Sequence, residues 1–179
     1  MTTRLLAVLL LATTTACATK GQGTMSSSAA HEPAASSAKL DPSWAPLAFL
    51  VGKWESTDGG ATGGARGGFS LLPDLDGKVL VRRNVSESPQ GRHEDLMVLY
   101  REGDGFRAFY VDNENHVIHY AVTTGDGNAT FTSDAMPGHP RFRLTYSLNG
   151  DSKLGITFAI QPPGATDFKT YLQGTVVRR

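Results

Sequence analysis

The 179-residue chain has one cysteine, Cys17, and it precedes everything that patterns as a folded domain. No internal disulfide can therefore form, and the domain holds no nucleophilic thiol. Neither sign of charge is in excess, with 17 Lys and Arg against 17 Asp and Glu. No basic stripe runs through the chain, which excludes nucleic acid as a partner. Long apolar runs are confined to the N-terminus, so no later segment patterns as a membrane-spanning helix. Long segments of helical period are missing from the domain, as are the motifs G-x-S-x-G and H-E-x-x-H. Histidine is scarce, five in all and none after His139.

Three regions follow from what is present. Residues 1–17 read M-T-T-R-L-L-A-V-L-L-L-A-T-T-T-A-C. Arg4 is a short positive region, Leu5 to Ala12 an apolar run, and small residues lead to Cys17. This is the pattern of a secretory signal peptide. Cys17 stands where a bacterial lipoprotein carries its lipidated cysteine, although Thr14 occupies the position where leucine is usual. The expectation is lipidation at Cys17 and anchoring in the cell envelope by buried acyl chains. A cleaved signal without lipidation would instead leave a soluble periplasmic or secreted protein. Residues 18–40 are rich in Ala and Ser and hold too little apolar bulk to offset their ordering entropy, so they read as a disordered tether. Residues 41–179 form one domain by length.

Within that domain the stretch P-L-A-F-L-V-G-K-W, 46–54, predicts a short helical turn from Pro46, an exit at Gly52 and a first strand opened by Trp54. Turn signals then recur about every ten residues, the pattern of an antiparallel meander. The strands predicted are 53–58, 64–72, 78–86, 93–101, 106–112, 116–124, 128–133, 140–148, 153–161 and 167–178. Asp76-Gly77, Asp126-Gly127 and Asn149-Gly150 tolerate the positive φ that tight turns need. Together these predict an all-β fold, an up-and-down antiparallel barrel of about ten strands with an N-terminal plug.

Alternation assigns the faces. Phe142, Leu144, Tyr146 and Leu148 share one face, and so do Leu154, Ile156, Phe158 and Ile160. In the middle hairpins a turn centred on Asn113-Glu114 would set Val111 opposite His116 and Ala108 opposite His119. Met97, Leu99, Tyr110 and His119 then share one face, while Leu96, Val98, Phe109 and His116 share the other. Both faces are apolar, so the inward one is open at this point. The surplus apolar surface is covered by the N-terminal turn or by a partner, which makes a homodimer an expectation.

The segments L-A-F-L-V-G-K-W-E-S, D-L-D-G-K-V-L-V-R-R-N, H-E-D-L-M-V-L-Y, Y-V-D-N-E-N-H-V-I-H-Y, R-F-R-L-T-Y and Y-L-Q-G-T-V carry a resemblance. Over 43–179 the chain resembles an uncharacterised family of bacterial lipocalin-like proteins, and F-L-V-G-K-W also resembles the opening of haem-binding nitrobindin-like barrels. The resemblance implies a calycin-type barrel with an internal cavity. The axial histidine of the nitrobindin-like proteins lies on a strand near the C-terminus, where this chain reads D-F-K-T-Y-L-Q-G-T-V-V-R-R. No histidine stands there, so haem is disfavoured and no cofactor is expected.

Other chemistry is sparse. His116 and His119 point to opposite faces of a strand and cannot share a metal. Asp112, Glu114 and His116 have one parity, but a solvated turn explains them, and no metal site is expected. Asn84-Val85-Ser86 and Asn128-Ala129-Thr130 match glycosylation acceptors, which mean little in a bacterial chain. The primary reading is a barrel that binds a small apolar or amphipathic ligand, lined by Trp54, Tyr110, His119, Tyr146 and Phe158 and anchored by Arg82 or Arg143. A solid barrel that binds a partner on its outer face is the second reading. The third is a haem-binding barrel, with His119 or His116 as the ligand, or an enzyme using His93 or His119 with Tyr110 and an arginine.

Overall fold

A computed structural model of the chain describes residues 39–57 and 64–179. The signal-like segment with Cys17, and almost all of the 18–40 tether, lie outside the described residues.

Ten antiparallel strands close into a barrel, each paired with its neighbours in sequence and β1 with β10. They are β1 (Gly52–Ser56), β2 (Arg66–Asp74), β3 (Val79–Ser88), β4 (Gly91–Glu102), β5 (Gly105–Asp112), β6 (Val117–Gly125), β7 (Asn128–Ser133), β8 (Arg141–Leu148), β9 (Lys153–Gln161) and β10 (Lys169–Arg178). Closure runs through Trp54 opposite Arg178 and Ser56 opposite Val176. It leaves the sheet no free edge, which removes the hazard of unpaired strands. Backbone approaches β2 most closely at Gly67-Gly68. A Cβ on Gly68 would lie 2.3 Å from the carbonyl oxygen of Trp54, and one on Gly67 would lie 2.1 Å from that of Val85. Only glycine lets β1 and β3 approach β2 this closely.

One end of the barrel is plugged. A 3-10 helix spans Pro42–Leu50, with Asp41 as its N-cap accepting from the Ser43 N–H at 2.9 Å. It begins four residues before the expected start, and Pro46 lies inside it. The three-residue period of a 3-10 helix explains the difference. Trp44, Leu47 and Leu50 recur at that period, and all three are buried to 1 % or less. The Trp44 indole donates to the Gly77 carbonyl at 2.8 Å and stacks on Phe106 with centroids 5.2 Å apart. The Trp54 indole donates to the Leu50 carbonyl at 2.9 Å. From β10, Arg178 donates to the Val51 and Phe49 carbonyls at 2.5 and 2.9 Å and lies 4.3 Å over the Trp54 ring. Helix, first strand and last strand are thus tied together at one point.

The middle hairpin corrects the expected register. Tyr110 pairs with Ile118, Phe109 with His119 and Val111 with Val117. The turn is one residue longer than a centre at Asn113-Glu114 allows. The Asp112 N–H donates to the His116 carbonyl at 3.3 Å, and Asn115 takes a φ of 69°. A slip of one residue reverses every side chain of a strand. Met97, Leu99, Ala108, Tyr110, Ile118 and Tyr120 therefore face inward, and Phe109, Val111, Val117 and His119 face outward.

Candidate functional site

Antiparallel order puts the plug helix beside the turns before β3, β5, β7 and β9. The opposite end carries the remaining hairpin turns and forms a mouth. Its inward side chains, half-buried at Tyr110, Phe142, Phe158 and Ile160 and buried at Arg82 and Asp95, divide into two walls.

The polar wall lies on β3, β4 and β5. The turn Pro89-Gln90 sets Asn84 opposite Asp95 and Arg82 opposite Met97. Arg82 Nη1 donates to Asp95 Oδ1 at 2.5 Å, with the two side chains 11 % and 3 % exposed. Asn84 Nδ2 donates to Asp95 Oδ2 at 2.9 Å, and His93 Nε2 lies 3.4 Å from the same oxygen. His93 Nε2 is also 3.2 Å from the Tyr110 hydroxyl, and His93 Nδ1 is 3.2 Å from Glu114 Oε1. The Tyr110 hydroxyl donates to Asp112 Oδ2 at 3.0 Å. A chain of polar contacts thus runs from the buried Arg82 through Asp95, His93 and Tyr110 to the rim.

The electrostatics follow from this packing. Burial disfavours the charged form of Arg82, but the oxygens around it, of which the Asp95 carboxylate is the charged one, more than offset it and hold the guanidinium charged. Burial pushes the Tyr110, Tyr120 and Tyr146 phenols up, so all three are neutral hydroxyls. Partial burial would raise Asp112. The His116 and Glu114 N–H groups, the His116 ring and the Tyr110 hydroxyl outweigh it and hold the carboxyl below the usual range. Among the described residues four buried side-chain polar atoms have no protein partner, Arg82 Nε, Arg143 Nε, the Tyr146 hydroxyl and Gln161 Oε1, and of these Arg82 Nε and the Tyr146 hydroxyl belong to inward side chains.

The apolar wall lies on β8, β9 and β10. Phe142 and Phe158 stack with centroids 6.0 Å apart, and Ile156, Ile160 and Leu172 share their inward parity. Between the two walls and the plug runs a line of rings. Tyr110, Tyr120, Phe131, Tyr146, Phe69 and Trp54 follow one another with centroids 5.6 to 6.4 Å apart. Arg82 lies 5.1 Å over Phe69 in this line.

Of the seven residues singled out as lining or anchoring a cavity, five face inward: Trp54, Arg82, Tyr110, Tyr146 and Phe158. Trp54 belongs to the sealed plug end, and Phe158 to the mouth. His119 and Arg143 do not line the interior. His119 is exposed and packs on Phe109 with centroids 5.2 Å apart, because of the longer β5–β6 turn. Arg143 alternates outward between Phe142 and Leu144, and its guanidinium stacks 3.8 Å from the centre of the Phe168 ring. Asp95, Asn84 and Tyr120 are interior residues that alternation along single strands did not bring out. The turn Ser88-Pro89-Gln90-Gly91 held the signal, since it sets the β3–β4 register and with it the Asn84–Asp95 pair.

Asp112 is committed as a cap. Its oxygens accept from the N–H groups of Glu114 and His116 at 3.0 and 2.9 Å, from Tyr110 and from the His116 ring. Among the described residues, no three His, Cys, Asp or Glu side chains converge to hold a metal ion. Asn84, inside the barrel on Asp95, is not placed to carry a glycan. On the outer wall a shallow recess over Gly68 is bordered by charges of both signs, Lys53, Glu55, Arg83 and Glu87.

No protein-family model matches the chain, and no curated protein matches it.

Proposed function

We propose that this chain is an exported, membrane-tethered barrel of lipocalin-like type that binds a small apolar or amphipathic molecule through its mouth. The observation that carries the reading is the two-sided interior of the mouth. Arg82, Asn84, His93, Asp95 and Tyr110 form one wall, and Phe142, Ile156, Phe158, Ile160 and Leu172 form the other. A fold that needed only stability would fill this space with apolar groups, because a buried ion pair contributes little or nothing net to stability. An amphipathic molecule meets both walls, its tail on the rings and its polar end on the hydrogen-bonded groups. The signal-like segment and Cys17 support export and a lipid anchor, and so a place in the cell envelope. The sequence resemblance to lipocalin-like proteins supports the same class. The reading takes no haem, because the inward-facing His93 is engaged with Tyr110, Asp95 and Glu114.

Native mass spectrometry of the chain purified from a bacterial host, with an absorption spectrum on the same sample, tests this. A retained small molecule is the expected result. A bare mass, with no gain in melting temperature on adding amphipathic probes, would sink it, and a Soret band would reverse the view on haem.

A second reading rests on the outer wall. Val81, Val98, Phe109 and His119 form one row across β3–β6, and Leu96, Val111 and Val117 form the next. Val117 is 61 % exposed. This face fits a second copy of the chain or an envelope partner. A monomeric mass at micromolar concentration in sedimentation would remove the homodimer.

A further inference from the structure

The rim of the mouth is apolar and basic on one side only. Among the described residues five large apolar side chains are exposed: Leu75, Val85, Val117, Met136 and Tyr171. Of these, Leu75 alone lies at the plugged end. Met136 and Tyr171, 61 % and 70 % exposed, flank the apolar wall. Met136 is in the β7–β8 loop, and Tyr171 follows the β9–β10 loop.

Tyr171 owes its place to a β-bulge. Thr170 pairs with Ala159 and Leu172 with Phe158, so Tyr171 is the extra residue between them. Its ring meets Phe158 edge-on with centroids 6.2 Å apart, and Phe158 in turn stacks on Phe142. The apolar wall therefore continues, ring by ring, from the interior to the solvent. A tyrosine in that position suits the boundary of an apolar phase, with its ring in and its hydroxyl out. Pro137, Pro162 and Pro163 are exposed in the same two loops. They have no N–H to leave unpaired against hydrocarbon.

Charge divides the rim the same way. Around the apolar wall stand Arg141, Arg143 and Lys169 against Asp134 and Asp167, and Asp134 is held by both Nη atoms of Arg107. Across the mouth, the ends of β3, β4 and β5 carry Glu87, Glu94, Asp112 and Glu114 against Arg92. An anionic surface is attracted to the first side and repelled by the second. A bilayer that holds anionic phospholipid offers both the charge and the apolar phase that the first side matches. From Cys17 to Lys39 the chain would reach about 75 Å when extended, so an anchor at Cys17 leaves the mouth free to meet lipid.

We propose that the rim formed by the β7–β8 and β9–β10 loops docks on the surface of an anionic phospholipid bilayer, with Met136 and Tyr171 entering it and Lys169 at the headgroups. The apolar wall then opens onto lipid, and an apolar molecule passes between the two without crossing water. That passage rests on the ligand-binding reading above, whereas the docking itself needs no ligand.

The test uses the purified full chain in vesicles of phosphatidylethanolamine and phosphatidylglycerol with brominated acyl chains, which quench tryptophan on contact. Trp44 and Trp54 are buried, so Met136→Trp and Leu75→Trp each add one exposed indole, at opposite ends of the barrel. The Met136→Trp emission should move to the blue and be quenched, and that of Leu75→Trp should do neither. In the Met136→Trp chain, the added change Tyr171→Ser should lower the ratio of docked to undocked barrels about tenfold. Lys169→Gln should lower it about fivefold. Both positions are exposed, so neither change threatens the fold. Equal quenching at the two ends, or none at Met136→Trp, would overturn the proposal. So would quenching that ignores both added changes. A blue shift without quenching that grows with protein concentration would give the rim to a second copy of the chain and overturn it too. Native mass spectrometry of the same sample separates the two readings. A docked but empty barrel would remove the ligand and leave the docking, and a loaded barrel with an unquenched indole would do the reverse.

Discussion

The two ends of the barrel are built from the same strands by opposite rules. At the plugged end, Trp44, Leu47, Leu50, Trp54, Leu80, Leu99 and Leu154 are each 1 % exposed or less. Both indole N–H groups there have a carbonyl partner. At the mouth, rings share the space with an ion pair, an amide, an imidazole and a tyrosine hydroxyl, and Arg82 Nε goes unpaired. A buried side chain of Leu or Phe contributes roughly 1.5–3 kcal/mol, whereas a buried ion pair is often no better than the apolar residues that could replace it. The plugged end is thus where the barrel gains stability. The mouth is where it gives stability up, and that is the observation on which the proposed ligand binding rests.

Substitutions can break that contrast, and the largest effect is expected inside the mouth. Asp95→Ala strands the buried Arg82 charge and should cost about 4 kcal/mol in urea unfolding. The double change Arg82→Met with Asp95→Leu should cost nothing or add about 1–3 kcal/mol, because it converts the mouth to the rule of the plugged end. A double variant as unstable as the single one would mean that the pair is structural. Next is Leu47→Ala in the plug, which removes a fully buried side chain and should cost about 3 kcal/mol by the same measurement. Gly68→Ala follows, at about 2 kcal/mol, since its Cβ meets backbone that must shift. Tyr146→Phe should change stability by no more than about 0.5 kcal/mol, because the hydroxyl it deletes has no partner to lose.

Acid should sharpen the contrast as well. The Asp112 carboxyl is held below its ordinary value near 3.8 by the donors around it. Its contribution to stability is therefore complete above that value and is lost as pH falls through the lower, folded one. The unfolding free energy should drop in that acid range, and Asp112→Asn should flatten the drop. Leu47→Ala, at the plugged end, should lower stability by the same amount at every pH.

Much of the architecture was legible in the chain. Recurring turn residues marked ten strands, and the observed bounds differ from the expected ones by two residues at most. Local backbone chemistry is enough for that, since Gly, Asn, Asp and Pro punctuate a meander wherever it lies. Alternation alone places Tyr146 and Phe158 inward, and the same alternation, carried through β8, turns Arg143 outward. The apolar run marks the plug but not its start, because the period is three rather than 3.6 and Trp44 joins Leu47 and Leu50 only at that period.

What pattern could not decide was the inward face where both faces are apolar. Leu96 and Met97 are equally suited to a core, and Phe109 and Tyr110 nearly so, so composition carries no sign. One added residue in the turn after Asp112 puts His119 on the face opposite Tyr110, and closure of the barrel turns Tyr110 inward. The same holds for the polar wall. Arg82 and Asp95 are 13 residues apart and unremarkable among 34 charged side chains. The sequence by itself determined that this is a ten-strand meander with an apolar plug, because hydrophobic period and turn chemistry are local. Only closure of the sheet decided which charges are taken out of water and made to pair, because burial is a property of the whole barrel and not of any strand in it.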